Sequence, residues 1–163
     1  MTTISRIAAV AALAALASLS VESAGASSAA PAVCSPAVSN AVLPPWARAG
    51  FSDAKPAIAH ITGRSGSIMG ILFAQPLEAP PAKDHNNKIL WVARVGASSP
   101  SDLRIAAQRM VGAHTVGSPV RRVVSGGPGP SIIDLPAAGC WRLALRWAGH
   151  TDTLDVRYAR NGG

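Results

Sequence analysis

The chain is short of aromatics, of charge and above all of acid. Aromatic residues make up 4% of its 163 positions and charged residues 14%. Eight Asp and Glu face fifteen Lys and Arg, a formal net charge of +7. A glycosidase needs two carboxylates converging on one bond, and so few acids make that pair hard to assemble. Asp152 and Asp155 are close in sequence, but on a strand residues three apart point to opposite faces. The four histidines, His60, His85, His114 and His150, show no HxxH or HxxxH spacing and sit beside no carboxylate cluster, so no metal site and no cofactor is expected. Gly63-Arg64-Ser65-Gly66-Ser67 fails the G-x-S-x-G pattern, because its second glycine falls one position early. The Gly126–Gly129 run lacks the Lys-Ser/Thr and the helix of a phosphate loop. Heptads and internal repeats are absent. The arginines are dispersed, with Arg121-Arg122 the one adjacent pair, so nothing resembles a polybasic nucleic-acid motif with interleaved aromatics.

Cysteine is also scarce: there are two, and no CxxC. Their meaning depends on the N-terminus. Arg6 supplies a positive start, Ile7 to Leu19 is apolar and uncharged but short for a bilayer span, and Ala24-Gly25-Ala26 fits a small-x-small cleavage site. Residues 1–26 therefore read as a secretory signal peptide cleaved near Ala26; an uncleaved anchor is the alternative. The mature chain is expected to be secreted or extracellular, with no transmembrane helix. Cleavage removes Arg6 and Glu22, so the charge stays at +7. Outside the cytoplasm two cysteines in one chain most often pair, which predicts a Cys34–Cys140 disulfide; a redox or metal pair is the weaker reading. Cys34 follows Pro31-Ala32-Val33 and lies far beyond the apolar run, which does not suit lipidation.

What is present is concentrated near the C-terminus. In Gly139-Cys140-Trp141-Arg142-Leu143-Ala144-Leu145-Arg146-Trp147, Trp141, Leu143, Leu145 and Trp147 share one side. Cys140, Arg142, Ala144 and Arg146 share the other. This alternation marks a strand with one buried and one wet face. Ala148-Gly149-His150 is a hairpin signal. The return run, Thr151 to Tyr158, places Leu154, Val156 and Tyr158 inward and Thr153, Asp155 and Arg157 outward, so that Arg142 or Arg146 meets Asp155 across the pair. Upstream, Ser131–Leu135 is a third short strand, and Pro136-Ala137-Ala138-Gly139 forces a corner.

This order of strand, corner, Gly-x-aromatic-x-Leu strand, hairpin and last strand resembles the final strands of bacterial immunoglobulin-like sandwiches. GCWRLALRW followed by TDTLDVRY, with NNKILWV at Asn86–Val92, is similar to segments of a set of uncharacterised secreted bacterial proteins. The likeness covers under a third of the chain; it implies a fold and carries over no catalytic residue.

Elsewhere, Ser27–Pro45 is an Ala/Ser/Pro-rich leader, partly tethered by the disulfide, and 46–163 is a single domain. Pro44–Ala49 suits one helical turn. Pro56–Ile61 is a weak strand. Ser67–Phe73 is a strand apolar on both faces, and Lys88–Arg94 is a central strand covered on both sides. Gln75–Asn87 is a loop whose Pro76, Pro80 and Pro81 exclude a central strand. Leu103–Arg109 is a strand, although its alanines also permit a helix. Gly112–Pro119 is a loop, Val120–Val124 a strand, and Ser125–Pro130 an exposed, mobile loop. The expected architecture is an all-β, immunoglobulin-like β-sandwich of seven to eight strands.

The leading expectation is a non-catalytic envelope or extracellular module of unknown ligand. The alternative is a carbohydrate- or anionic-polymer-binding surface. It would use Trp46, Arg48 and the basic strand face of Arg142, Arg146 and Arg157, with an anionic cell-surface polymer as partner. A third reading is a small hydrolase with a dispersed triad.

Overall fold

The computed structural model describes residues 38–81, 83–84, 86–95 and 101–161. Nine strands form among them: β1 (His60–Thr62), β2 (Ile68–Leu72), β3 (Leu77–Ala79), β4 (Lys88–Ala93), β5 (Leu103–Val111), β6 (His114–Val124), β7 (Pro130–Ile132), β8 (Gly139–Trp147) and β9 (His150–Arg160). They build two sheets, β1-β2-β4-β7 and β3-β9-β8-β5-β6. All pairings are antiparallel except β3 with β9. The chain is mostly β, and no helix among the described residues is long and apolar enough to cross a membrane.

β8 is the middle strand of the larger sheet. Trp141, Leu143, Leu145 and Trp147 are at most 4% exposed, each worth roughly 1.5–3 kcal/mol of burial. All nine β8 residues pair with β9, from Trp147↔His150 to Gly139↔Tyr158. The connecting residues Ala148 and Gly149 have φ of 43° and 80°. Positive φ at both centres makes a turn whose twist matches the flanking strands.

The main core lies between the sheets. Ile61, Ile68, Leu72, Ile89 and Trp91 meet Leu143, Leu154, Val156 and their neighbours. Alternate residues of β2 and β4 point the other way. Met69 and Ile71, with Leu90 and Val92, join a second cluster with Leu43, Ala47, Trp46, Phe51 and Ile58. The segment 38–59, including a 3-10 turn at Pro45–Ala47, thus covers the outer face of the smaller sheet. That is why β2 and β4 read as apolar on both faces.

The polar tips of three buried aromatics all end on β7 and the connection that follows it, residues 131–137. Trp91 Nε1 donates to Ser131 Oγ at 3.0 Å, Tyr158 Oη to the Ile133 carbonyl, and Trp141 Nε1 to the Ala137 carbonyl at 2.9 Å. Burial raises the Tyr158 hydroxyl above its ordinary pKa, so it stays a neutral donor. Asn87, 1% exposed, braces the same region. Its amide donates to the Glu78 carbonyl and to Asp134 Oδ1, and its Oδ1 accepts from the Glu78 N–H.

Several expectations are corrected. Gly112–Pro119 is not a loop: β6 begins at His114, with only Gly112 and Ala113 between it and β5. Gly117 has φ of 72° where the register slips between Ala107 and Arg109; Gly at such a bulge is part of a strand rather than its end. Gln75–Asn87 contains β3, an edge strand, the one position in a sheet that its flanking prolines tolerate. Within Ser125–Pro130, Gly127 is buried, the Gly126 N–H donates to Asp102 and the Gly129 carbonyl accepts from Trp91. Pro130 opens β7, also at an edge. Of Pro56–Ile61 only the last two residues are in a strand, and Ala57 makes an isolated bridge to Val42. Nine strands exceed the seven to eight expected.

The β1–β2 turn is fastened to β9 by Asp152, which is 7% exposed. Its carboxylate accepts from the N–H groups of Ser65, Ser67 and Thr153 and from Ser67 Oγ, at 2.7–3.1 Å. Burial alone would raise its pKa; the donated hydrogen bonds outweigh that and hold it below the ordinary carboxylate range. A Cβ on Gly63 would lie 2.2 Å from Asp152 Oδ2. Gly63→Ala is therefore expected to lower stability by about 2–3 kcal/mol, near the top of the range for overpacking. Added to Asp152→Ala, which removes the obstacle, the same change should cost under about 1 kcal/mol, so urea unfolding of the four-member cycle should show strong coupling. Additive costs would rule out the clash.

Candidate functional site

The outer face of the five-stranded sheet is built by alternation and register alone. Core residues occupy one side of β5, β6, β8 and β9, so their alternates face outward. Arg104 of β5 stands opposite Val123 of β6 and opposite Arg146 of β8, which in turn stands opposite Thr151 of β9. The next row is Arg121, Ala106, Ala144 and Thr153. Beyond it Gln108, Arg142 and Asp155 align, and then Cys140 with Arg157. Arg142, Arg146 and Arg157 thus share one side. The described part of the N-terminal segment covers the other sheet and leaves this face open.

The arginines divide by partner. Asp155, 2% exposed, takes Arg142 Nε at 2.8 Å and Nη2 at 2.9 Å, and Arg64 Nη2 at 2.8 Å. Burial would raise the Asp155 carboxyl; the hydrogen bonds from Arg142 and Arg64, and their charges, hold it below its ordinary value. The bond to Asp155 in turn raises Arg142. Arg142 is therefore committed to the fold. Arg104, Arg121 and Arg146 are exposed, and no carboxylate among the described residues forms an ion pair with them. They rim a groove of about 550 Å³ floored by Ala106 and Ala144. Directly opposed like charges such as Arg104 and Arg146 work against strand pairing, and no carboxylate among the described residues offsets them.

A smaller depression of about 290 Å³ adjoins it, sharing Arg104 and Arg146 and reaching the β8–β9 turn. Ser101, His150, Thr151 and Trp147 line it. The Trp147 and His150 rings are 5.7 Å apart. Trp147 Nε1 is buried without a hydrogen-bond partner among the described residues.

Trp46 and Arg48 lie elsewhere. Trp46 is half-buried against the Met69–Ile71 cluster, on the opposite side of the sandwich, with Arg94 5.9 Å above its ring. Arg48 donates to the carbonyls of Leu43 and Ala54 at 2.6 and 3.2 Å, fastening its own turn. Neither joins the basic face. Cys140 is half-buried at the start of β8 and is not a free thiol; Cys34 lies outside the described residues, as do the signal sequence and His85. His60 is buried with Nδ1 2.8 Å from the Ile58 carbonyl, and His114 is exposed on β6. Ser65 bonds Ser67 through its hydroxyl and Asp152 through its N–H, bonds that serve the turn, and no histidine among the described residues is its partner.

Two rim residues, Arg104 and Arg121, escape a reading of the β8–β9 hairpin alone. Their signal is the alternation in Leu103-Arg104-Ile105 and in Val120–Val124, which puts both on wet faces. Which strands flank β8 is not encoded locally. No family model, curated protein or solved structure matches this chain.

Proposed function

We propose that the protein is an exported, non-catalytic immunoglobulin-like module that binds an anionic polymer through the open basic face of its five-stranded sheet. The single observation that carries the binding is the cluster of Arg104, Arg121 and Arg146 on three adjacent strands with no acidic partner among the described residues. The immunoglobulin-like assignment is supported by β3 running parallel to β9 at the edge of a β9-β8-β5-β6 sheet, packed on a β2-β4-β7 sheet. It is supported too by Trp141, whose ring donates back to a carbonyl four residues upstream, the role a tyrosine plays at the equivalent corner of such sandwiches. Export rests on the Arg6, Ile7–Leu19 and Ala24–Ala26 pattern, and a Cys34–Cys140 bridge belongs to the same reading.

The test is retention on an anionic matrix. The protein should bind at low ionic strength and elute as salt screens the contact. Arg104→Glu with Arg146→Glu should abolish retention near physiological salt. Lys55→Glu with Lys83→Glu makes the same change in net charge at exposed sites off the groove and should reduce retention only slightly. Equal losses in the two double variants would reduce the effect to net charge and overturn the reading.

A further inference from the structure

We infer that the groove is specific for a tetrahedral oxyanion carried as an ester, phosphate or sulfate, and that the hydroxyl-bearing body of that ester extends over the depression at the β8–β9 turn. The inference rests on the anion-binding reading above and deepens it.

The chemistry of the lining selects the ligand. Among the described residues the groove presents arginines around Ala106, Ala144 and Val123, with no hydroxyl, amide, carboxylate or aromatic. Its hydrogen-bonding side chains are all cationic donors, with no acceptor for a hydroxyl proton and no ring to stack on a sugar. Arg122 borders it but is committed, donating to the Asp134 and Arg121 carbonyls. The remaining three guanidiniums approach from three strands, each a rigid fork of donors. A carboxylate carries one charge and two oxygens in one plane, and a single fork satisfies it. A phosphate or sulfate monoester keeps three outer oxygens directed away from one another. Donors offered from three neighbouring strands can meet those oxygens separately.

The neighbouring depression has the complementary character. Ser101 and Thr151 bring hydroxyls, and His150 brings a ring nitrogen. Ser101 Oγ accepts from the Ala148 N–H and retains its own proton to donate. The acid there, Asp102, accepts from the Gly126 N–H and pairs with neither Arg104 nor Arg146. Because Arg104 and Arg146 border both depressions, an ester bound between them continues onto these polar groups.

The experiment compares three polyanions at equal concentrations of charge: dextran sulfate, polyphosphate and polygalacturonate. Dextran sulfate should bind at least tenfold tighter than polygalacturonate, and polyphosphate, whose internal phosphates keep two outer oxygens each, should fall between them. Arg121→Lys should keep most of the affinity while erasing the preference, because charge remains and the fork is lost. Thr151→Val should weaken dextran sulfate, whose sugar body reaches the turn, and leave polyphosphate, which has none, unchanged. Arg157→Ala, on the same face but outside the groove, should change neither. Vesicles of phosphatidic acid in phosphatidylcholine separate the sources: binding as tight as to dextran sulfate assigns a lipid headgroup, and weaker binding assigns a polymer. Polygalacturonate binding as tightly as dextran sulfate overturns the oxyanion inference while sparing the anion-binding reading. Failure of all three polymers overturns both. Circular dichroism of each variant confirms that the sheet is intact.

Discussion

Arg142→Ala is expected to remove about 3 kcal/mol of stability at neutral pH, a larger effect than any other single change on the wet face. Asp155 is 2% exposed, and Arg142 supplies two of its three hydrogen bonds. Removing one partner of a buried pair costs roughly 3–5 kcal/mol, because the remaining charge is left in a poor dielectric. The lower end applies here, since Arg64 stays and its side chain is 51% exposed. For a domain of this size the melting temperature should fall by roughly ten degrees. The pH dependence has a definite sign. Asp155 is held below its ordinary value in the fold, so its contribution is complete above the unfolded carboxyl pKa of about 4 and vanishes as pH falls through the folded value. The difference between wild type and Arg142→Ala should therefore be constant from pH 7 to about 5 and shrink below about 4. Replacing both partners, Arg142→Met with Asp155→Leu, should restore most of the loss, since an apolar pair of similar volume needs no compensation. A penalty that persists undiminished at pH 2.5 would mean that the arginine stem, rather than the ion pair, holds the site.

How much of this was legible in the sequence follows from how local each interaction is. The Arg142–Asp155 pair is read from alternation in β8 and β9 plus a short turn, because a hairpin fixes its own register. Arg64, the third member, is 91 residues from Asp155, and no local pattern brings it there. The double-sided apolarity of β2 and β4 is plain in Ile68–Leu72 and Ile89–Val92, yet the cover on the outer side is a loop and 3-10 turn whose Leu43, Trp46, Ala47 and Phe51 have no period. β6 is hidden for the opposite reason. Gly117, Ser118 and Pro119 are turn formers, yet they make only a bulge, because β6 pairs with β5 on both sides of them. Asn87 reads as one more polar loop residue, because the groups it satisfies, at Glu78 and Asp134, come from other parts of the chain. The basic groove was half visible: Arg146 follows from β8 itself, whereas Arg104 and Arg121 require the strand order β8-β5-β6.

Trp141→Ala should be the most damaging single substitution in the chain. The side chain is 4% exposed between the sheets, and truncating a buried tryptophan costs about 3–5 kcal/mol through lost transfer and the cavity left behind. A second loss follows from the bond between Trp141 Nε1 and the Ala137 carbonyl. Without the ring, that carbonyl loses its donor at the corner through which the chain enters β8, worth about 1 kcal/mol more. Against a total stability of roughly 5–15 kcal/mol for a domain, the variant should be largely unfolded in moderate urea and should melt tens of degrees earlier. Trp141→Phe separates the two parts. It keeps most of the volume and lacks the donor, and should cost roughly 2 kcal/mol. Trp46→Ala provides the contrast: its ring is half-buried on the outer cluster and makes no hydrogen bond among the described residues, so it should cost less than half as much as Trp141→Ala. Unfolding followed by circular dichroism ranks the three without relying on tryptophan emission, which each substitution alters. If Trp46→Ala proved as costly as Trp141→Ala, the principal core would lie on the outer side of the smaller sheet, and the two-sheet packing described above would be wrong.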